Sequence, residues 1–443
     1  VKTKCKPNDK KIAWWQLSLI GVGCTIGTGF FLGSSLAINR GGPTVLLLFL
    51  LAALGTYIVF DALSKMTAED PQKGSFRTYA KNAFGRWAGF SNGWVYWSSE
   101  LLIMGSQLTA LAIFAQFWFP DIPLWVLSSI FGVLGVGVIL TGVSGFERIE
   151  NIFGVMKIAA ILMFIVIGVL AVSGLLKGGQ PEQAFSFSKD GLLPAGLTGL
   201  WTAFIYVFYA FGGIEVMGIM ANELKEPKEA PKAGKVMLIL LTTIYVISIG
   251  LAVWLLPADK FNADESPFLS ALQAFNLSFV PHVFNGALII GGFSTMVASL
   301  YGITTILTSL SEDGDAPKFF SKKGPRDVPY FSLLLTVGGL IASIIVALLL
   351  PGKIYEYLTT AAGLMLLYIW VFILFTFHKM VHLSLFSEVK RWVGVVLILL
   401  GISGTLFHSS SRIGLFISLG FILVIGAVTL LMRKRWRSSQ VKQ

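Results

Sequence analysis

Charge is scarce in this sequence. Asp, Glu, Lys and Arg make up 13% of its 443 residues, about half the share of an ordinary soluble domain. With 55% of residues hydrophobic, a water-soluble fold of this length could not hide its apolar surface. Cysteine is scarcer still. The two present, Cys5 in a basic tail and Cys24 inside an apolar run, exclude a disulfide scaffold and lack metal-ligand spacing. Histidine numbers four, none mid-way along an apolar run beside a carboxylate, which argues against an intramembrane enzyme. His378 and His382 have the i, i+4 spacing of a metal pair but no third ligand at a sensible distance. No metal, cofactor or catalytic residue is therefore expected. No polar stretch is long enough for a soluble signalling domain, so a receptor-like sensor is disfavoured too.

What the sequence does hold is a series of long apolar runs. Twelve can cross a bilayer as helices: residues 13–38, 44–66, 89–118, 123–141, 149–174, 196–222, 234–256, 283–310, 331–350, 355–377, 391–407 and 412–432. The expected class is an all-α polytopic membrane protein with the lipid bilayer as its partner. The net charge of +11 reflects orientation and not nucleic-acid binding. Counted with the span ends that adjoin them, alternate connections on one side hold 27 Lys and Arg, against 6 on the other. Loops rich in these residues stay inside, which puts both termini in the cytoplasm and the protein in the plasma membrane. The basic tail of residues 433–443 closes the last span, and nothing calls for an obligate protein partner.

Two runs carry breaks. Residues 21–33 contain five glycines, at Gly21, Gly23, Gly27, Gly29 and Gly33, and the sixth run has Gly212-Gly213 at its middle. Glycine weakens a helix by ~1 kcal/mol relative to alanine, so these are sites of cheap unwinding; close helix packing is the plainer use of small residues. The two clusters open successive five-span units, 13–174 and 196–377, and an odd number of spans inverts the second unit. That is the layout of a transporter with its site at the midplane; spans at 391–432 fall outside the repeat and are read as peripheral.

A broken helix frees N–H groups at the start of its second half and carbonyls at the end of its first. The N–H groups of Gly27, Thr28 and Gly29 suit a carboxylate. The carbonyls of Thr25, Tyr209, Ala210 and Gly212 suit an ammonium. A zwitterion satisfies both.

These residues carry a family resemblance. TIGTGFFLG (25–33), FGGIEVMGIMANELKEPKEAPKAG (211–234), GFSNGWVYW (89–97) with WFPDIPLW (118–125), and SEDGDAPKFF (311–320) resemble, in order, signatures of amino-acid permeases of the amino acid–polyamine–organocation superfamily. The resemblance implies a LeuT-type fold of five plus five spans with two extra C-terminal helices, and secondary transport of an L-amino acid by alternating access. It also implies that Lys157 occupies the place where sodium-coupled relatives bind an ion between spans one, five and eight, which favours proton symport over sodium coupling. Snorkelling to the interface is the other reading of Lys157, and Ser294, Thr295 and Ser299 either line that cleft or bond their own helix. Glu215, after the second break, either couples a proton or holds the break open. Glu100 and Gln107 share a face of the third span; the family often has Glu at 107 and an apolar residue at 100, so Glu100 either meets a cationic substrate or pairs with a neighbour. Tyr209 and Phe211 flank the breaks and are read as substrate contacts; an aromatic at 209 resembles the gate that closes over substrate in relatives, and a place in the core is the plainer reading of such rings. An exchanger would use the same site.

Overall fold

Backbone groups have no water to bond in a lipid interior, so each apolar run closes its hydrogen bonds on itself as a helix. The computed structural model describes residues 12–72, 74–176, 189–221, 224–273, 275, 277, 279–324, 327–349 and 353–440; the N-terminal tail up to residue 11, Cys5 included, lies outside the described residues. The first run holds α1 (Trp14–Thr25), α2 (Thr28–Phe31) and α3 (Gly33–Gly41), and the second α4 (Val45–Glu69). There follow α5 (Ser75–Phe84), α6 (Arg86–Gln116), α7 (Leu124–Leu140) and α8 (Val143–Val172). The second half contains α9 (Lys189–Leu192), α10 (Gly196–Ala210), α11 (Ile214–Met220), α12 (Ala230–Leu255), α13 (Pro267–Gln273) and α14 (Val280–Glu312). The chain closes with α15 (Tyr330–Leu349), α16 (Ile354–Met380), α17 (Leu385–Gly404) and α18 (Ser409–Gln440).

Among the described residues, nine helical stretches are long and apolar enough to cross a membrane. Leu50, Val166, Ile341 and Leu423 stand exposed on them, a surface that suits lipid and not water. The molecule is an all-α, multi-pass integral membrane protein. Its centre is α6, which packs against α14, α16 and α5.

Two helices are discontinuous. Ile26 and Gly27 are extended between α1 and α2. Between α10 and α11 the chain passes through Gly213 at φ +109°, a conformation that side chains resist.

Three features differ from the sequence reading. First, α5 and α13 fall in stretches read as connections; at 10 and 7 residues they are too short to register as spans. α5 is amphipathic, burying Phe76 and Tyr79, and Arg77 pairs with Asp313. Second, the helix α18 continues through the basic tail to Gln440, and Trp436 stacks under Arg86 at 4.8 Å and packs on Phe90. Third, α17 and α18 are integrated: α17 packs on α10 and α4, and α18 on α16 and α6.

That integration is clearest at the Gly41 end of α3. Arg40 pairs with Glu356 of α16, donates to Ser411 of α18 at 2.9 Å and contacts His408 Nδ1 at 2.9 Å. Its guanidinium lies 4.9 Å from the Tyr206 ring centroid of α10. Burial first, then the Arg40 charge, hold the His408 imidazole below its ordinary range. Its neutral form thus belongs to the fold, and the stability it contributes is present above the unfolded-state pKa and lost as pH falls through the folded one. Glu356→Ala would leave Arg40, 7% exposed, without its counter-charge, at a cost of ~3–5 kcal/mol. A clear drop in the thermal unfolding midpoint in detergent is expected; an unchanged midpoint would contradict this account of the network.

Candidate functional site

The breaks in α1/α2 and α10/α11 face one cavity of about 460 Å³, in the size range of small-molecule sites. Thr25, Gly27, Thr28, Gly29, Glu100, Gln107, Tyr209 and Gly212 all line it. Tyr96, Thr295, Ser299 and Leu366 join them. The lining continues to Ile20, Met220 and Ile306, toward the ends of α1, α11 and α14 at Trp14, Met220 and Glu312. On the opposite side the walls meet. The Tyr209 hydroxyl bonds Ser106 Oγ at 2.6 Å, and the Tyr355 hydroxyl donates to the carbonyl of Thr28 at 2.9 Å.

Helix geometry explains the polar character of this cavity. The N–H groups of Phe30 and Phe31 return to the Gly27 carbonyl, but among the described residues no backbone bond takes those of Gly27, Thr28 or Gly29. The Thr28 hydroxyl and the Gln107 Oε1 are buried with no hydrogen-bond partner among the described residues. Buried polar atoms in native proteins are nearly always satisfied, so these two mark where a ligand or water belongs.

Glycine is needed here for close approach. A methyl on Gly29 would lie 2.9 Å from Tyr209 Cδ1 and 3.3 Å from its carbonyl; one on Gly27 would lie 3.0 Å from Thr295 Cγ2. Gly29→Val should therefore abolish transport and Gly29→Ala reduce it at least about tenfold, because the broken helix is pushed off α10 as well as the ligand being obstructed. Uptake by Gly29→Ala at the level of the unaltered protein would refute the contact.

Two residues assigned from sequence lie elsewhere. Ala210 and Phe211 do not line the cavity. The Ala210 carbonyl accepts from the Tyr245 hydroxyl at 2.8 Å, and the Phe211 ring packs between Tyr245 and Phe49. A turn of helix separates neighbours in sequence onto different faces, which spacing about the break could not resolve.

The remaining two candidates sit behind the wall. Lys157 is fully buried; its Nζ donates to the Gly23 carbonyl of α1 at 3.1 Å, and its stem lies against Gly291 of α14. Glu215 is fully buried as well. It accepts from the Gly213 N–H at 3.0 Å and from the Trp370 indole of α16. Trp370 is a partner that sequence reasoning did not reach, being 155 residues away. Tyr96 was reachable, since it precedes Glu100 by one helical turn on the same face. Glu100 itself is 8% exposed and faces Tyr96 and Ser299.

Among the described residues no three His, Cys, Asp or Glu gather as metal ligands. A helical membrane bundle with two breaks around one mid-chain cavity has the form of a transporter. Residues 16–440 match the family model described as Amino acid permease, and the chain belongs to this family of the amino acid–polyamine–organocation superfamily. It is 54% identical to "Uncharacterized transporter YcgH" of Bacillus subtilis (strain 168), over 98% of this chain and 97% of that one. It is 32% identical to "Aromatic amino acid transport protein AroP" of Corynebacterium glutamicum, over 81% and 78%. The same-named protein of Escherichia coli (strain K12) is 30% identical over 86% and 82%. As a member of this family the chain is a secondary permease for amino acids and not an enzyme.

Proposed function

We propose that the protein carries an L-amino acid together with a proton into the cytoplasm by alternating access, on a twelve-span LeuT-type fold whose first ten spans form an inverted repeat. The observation that carries this reading is the cavity lined by backbone from both breaks. The substrate carboxylate is bound by the N–H groups of Gly27, Thr28 and Gly29 and by the Thr28 hydroxyl, where the α2 dipole favours negative charge. The ammonium is bound by the carbonyls of Thr25, Tyr209 and Gly212, that of Tyr209 through the lone pair its bond from the Gly212 N–H leaves over; the Ala210 carbonyl, off the cavity and engaged by Tyr245, is left out. Both termini face the cytoplasm, so the cavity's extension toward Trp14, Met220 and Glu312 makes this an inward-directed state, sealed outside by Tyr209–Ser106 and Tyr355–Thr28. Lys157 stands in for a coupling ion by bracing α1 against α8.

The test is uptake of a panel of labelled amino acids into liposomes containing the purified protein. Accumulation driven by an imposed pH gradient, with or without sodium, is the expected result. Accumulation only against internal unlabelled amino acid would make the protein an exchanger, and a sodium requirement would overturn proton coupling.

A further inference from the structure

We infer that this cavity selects amino acids whose long side chains end in a cation, with Glu100 as the counter-charge. The inference rests on the amino-acid transport reading above and names its substrate class.

Among the described residues, Glu100 is the one acidic residue in the cavity lining, and no lysine, arginine or histidine lines the cavity with it. The groups it faces, Tyr96 and Ser299, are neutral hydroxyls. The nearby carboxylate, Glu215, has both oxygens engaged by N–H donors, so it adds negative field without being open to a ligand. A carboxylate taken out of water is costly until a cation joins it, and the protein's own side chains supply none at this wall.

A second feature of the same helix agrees. Gln107 Oε1 is a buried acceptor without a partner among the described residues, and Gln107 lines the cavity, 7% exposed. Glu100 and Gln107 stand seven residues apart, roughly 10 Å along the α6 axis. Ile103 lies between them on α6, and Ala298 and Val216 are among the apolar residues that line the same cavity. Apolar walls suit a methylene stem and an acceptor at its end suits the charged head. The free N–H groups of Gly27, Thr28 and Gly29 are taken by the substrate carboxylate; on α6 the side-chain oxygens of Glu100 and Gln107 are acceptors, and they suit a side chain that ends in N–H donors.

The approach from the other side carries the same sign. Beyond Tyr355 lies a second cavity of about 430 Å³; Glu356 on its wall is already paired with Arg40, which leaves Asp264 and Glu265 against Lys353 among its described lining residues. A cleft of net negative charge concentrates cations at its mouth. Vestibule and site both favour a positive ligand.

The discriminating ligands are isosteres. Arginine and citrulline differ in their terminal group by a charge, as lysine and norleucine do at nearly equal length. The unaltered protein in proteoliposomes should take up arginine over citrulline, and lysine over norleucine, by at least about tenfold, since a neutral end leaves Glu100 desolvated without a counter-charge. Glu100→Gln should collapse both ratios toward unity, and Glu100→Asp, which keeps the charge, should retain a preference for the cations. Ligand-induced thermal stabilisation in detergent reads the same ratios as binding. Equal uptake of arginine and citrulline by the unaltered protein would overturn the inference, as would ratios unmoved by Glu100→Gln. If neutral amino acids are carried and cationic ones do not compete, the permease reading stands and this inference alone falls. If no amino acid is carried or bound, both fall.

Discussion

Replacing Lys157 by methionine is expected to cut pH-gradient-driven accumulation about a hundredfold, while the variant still inserts and purifies as a folded protein. Methionine keeps the apolar stem that lies against Gly291 and removes only the ammonium. That ammonium donates to Gly23, two residues before α1 ends at Thr25. Carbonyls in the last turn of a helix lack intrahelical partners, so the break itself creates the acceptor that Lys157 fills. A hydrogen bond from a charged donor contributes ~1.5–3 kcal/mol. A hundredfold shift between two states needs ~2.7 kcal/mol, so one such bond, made in one state and lost in the other, is large enough. The driving force is adequate too: a thousandfold accumulation needs ~4 kcal/mol, and the membrane potential supplies ~2.3 kcal/mol per charge per 100 mV. Proteoliposomes with an imposed pH gradient, with sodium present or absent, decide the matter. A Lys157→Met protein that accumulates substrate like the original, or uptake that needs sodium and ignores pH, would end this role for Lys157.

The parts of the molecule that were legible in its sequence are those fixed by local chemistry. Apolar runs become helices because lipid leaves the backbone no other partner, and the glycine clusters at 21–33 and 212–213 become breaks because unwinding there costs little. Glu100 and Gln107, seven residues apart, line the same cavity because helical periodicity puts them on one face. What was not legible depends on long-range packing. The bond from Trp370 to Glu215, the Arg40 network through Ser411 and His408, and the rotation that turns Phe211 toward Tyr245 all join elements far apart in sequence. Gly29 lies between the two cases: its smallness pointed to a ligand, but the contact with Tyr209 adds helix–helix approach as a reason for it.

Glu215→Gln is expected to destabilise the protein and depress transport at every pH, which goes beyond the loss of a titrating group. Glu215 meets two groups that can only donate, the Gly213 N–H and the Trp370 indole N–H. A carboxylate is acceptor-only and satisfies both. Glutamine presents one oxygen and one amide NH₂, so either orientation sets a donor against a donor at a fully buried site. An unsatisfied buried donor costs ~1–3 kcal/mol, spent directly on the break at Gly213, where the backbone already needs a left-handed turn. Trp370→Phe removes one of the two donors. Glutamine at 215 should therefore cost less in that background, and a double-mutant cycle on thermal unfolding should return a coupling of ~1–3 kcal/mol. Transport offers the second readout, because a holder of the break and a proton carrier fail differently. A holder lowers the maximal rate across the pH range, while a carrier leaves binding intact and flattens the pH profile. An unfolding midpoint unchanged in Glu215→Gln, together with a flat pH profile, would return Glu215 to the proton pathway and leave its bonds to Gly213 and Trp370 a secondary feature.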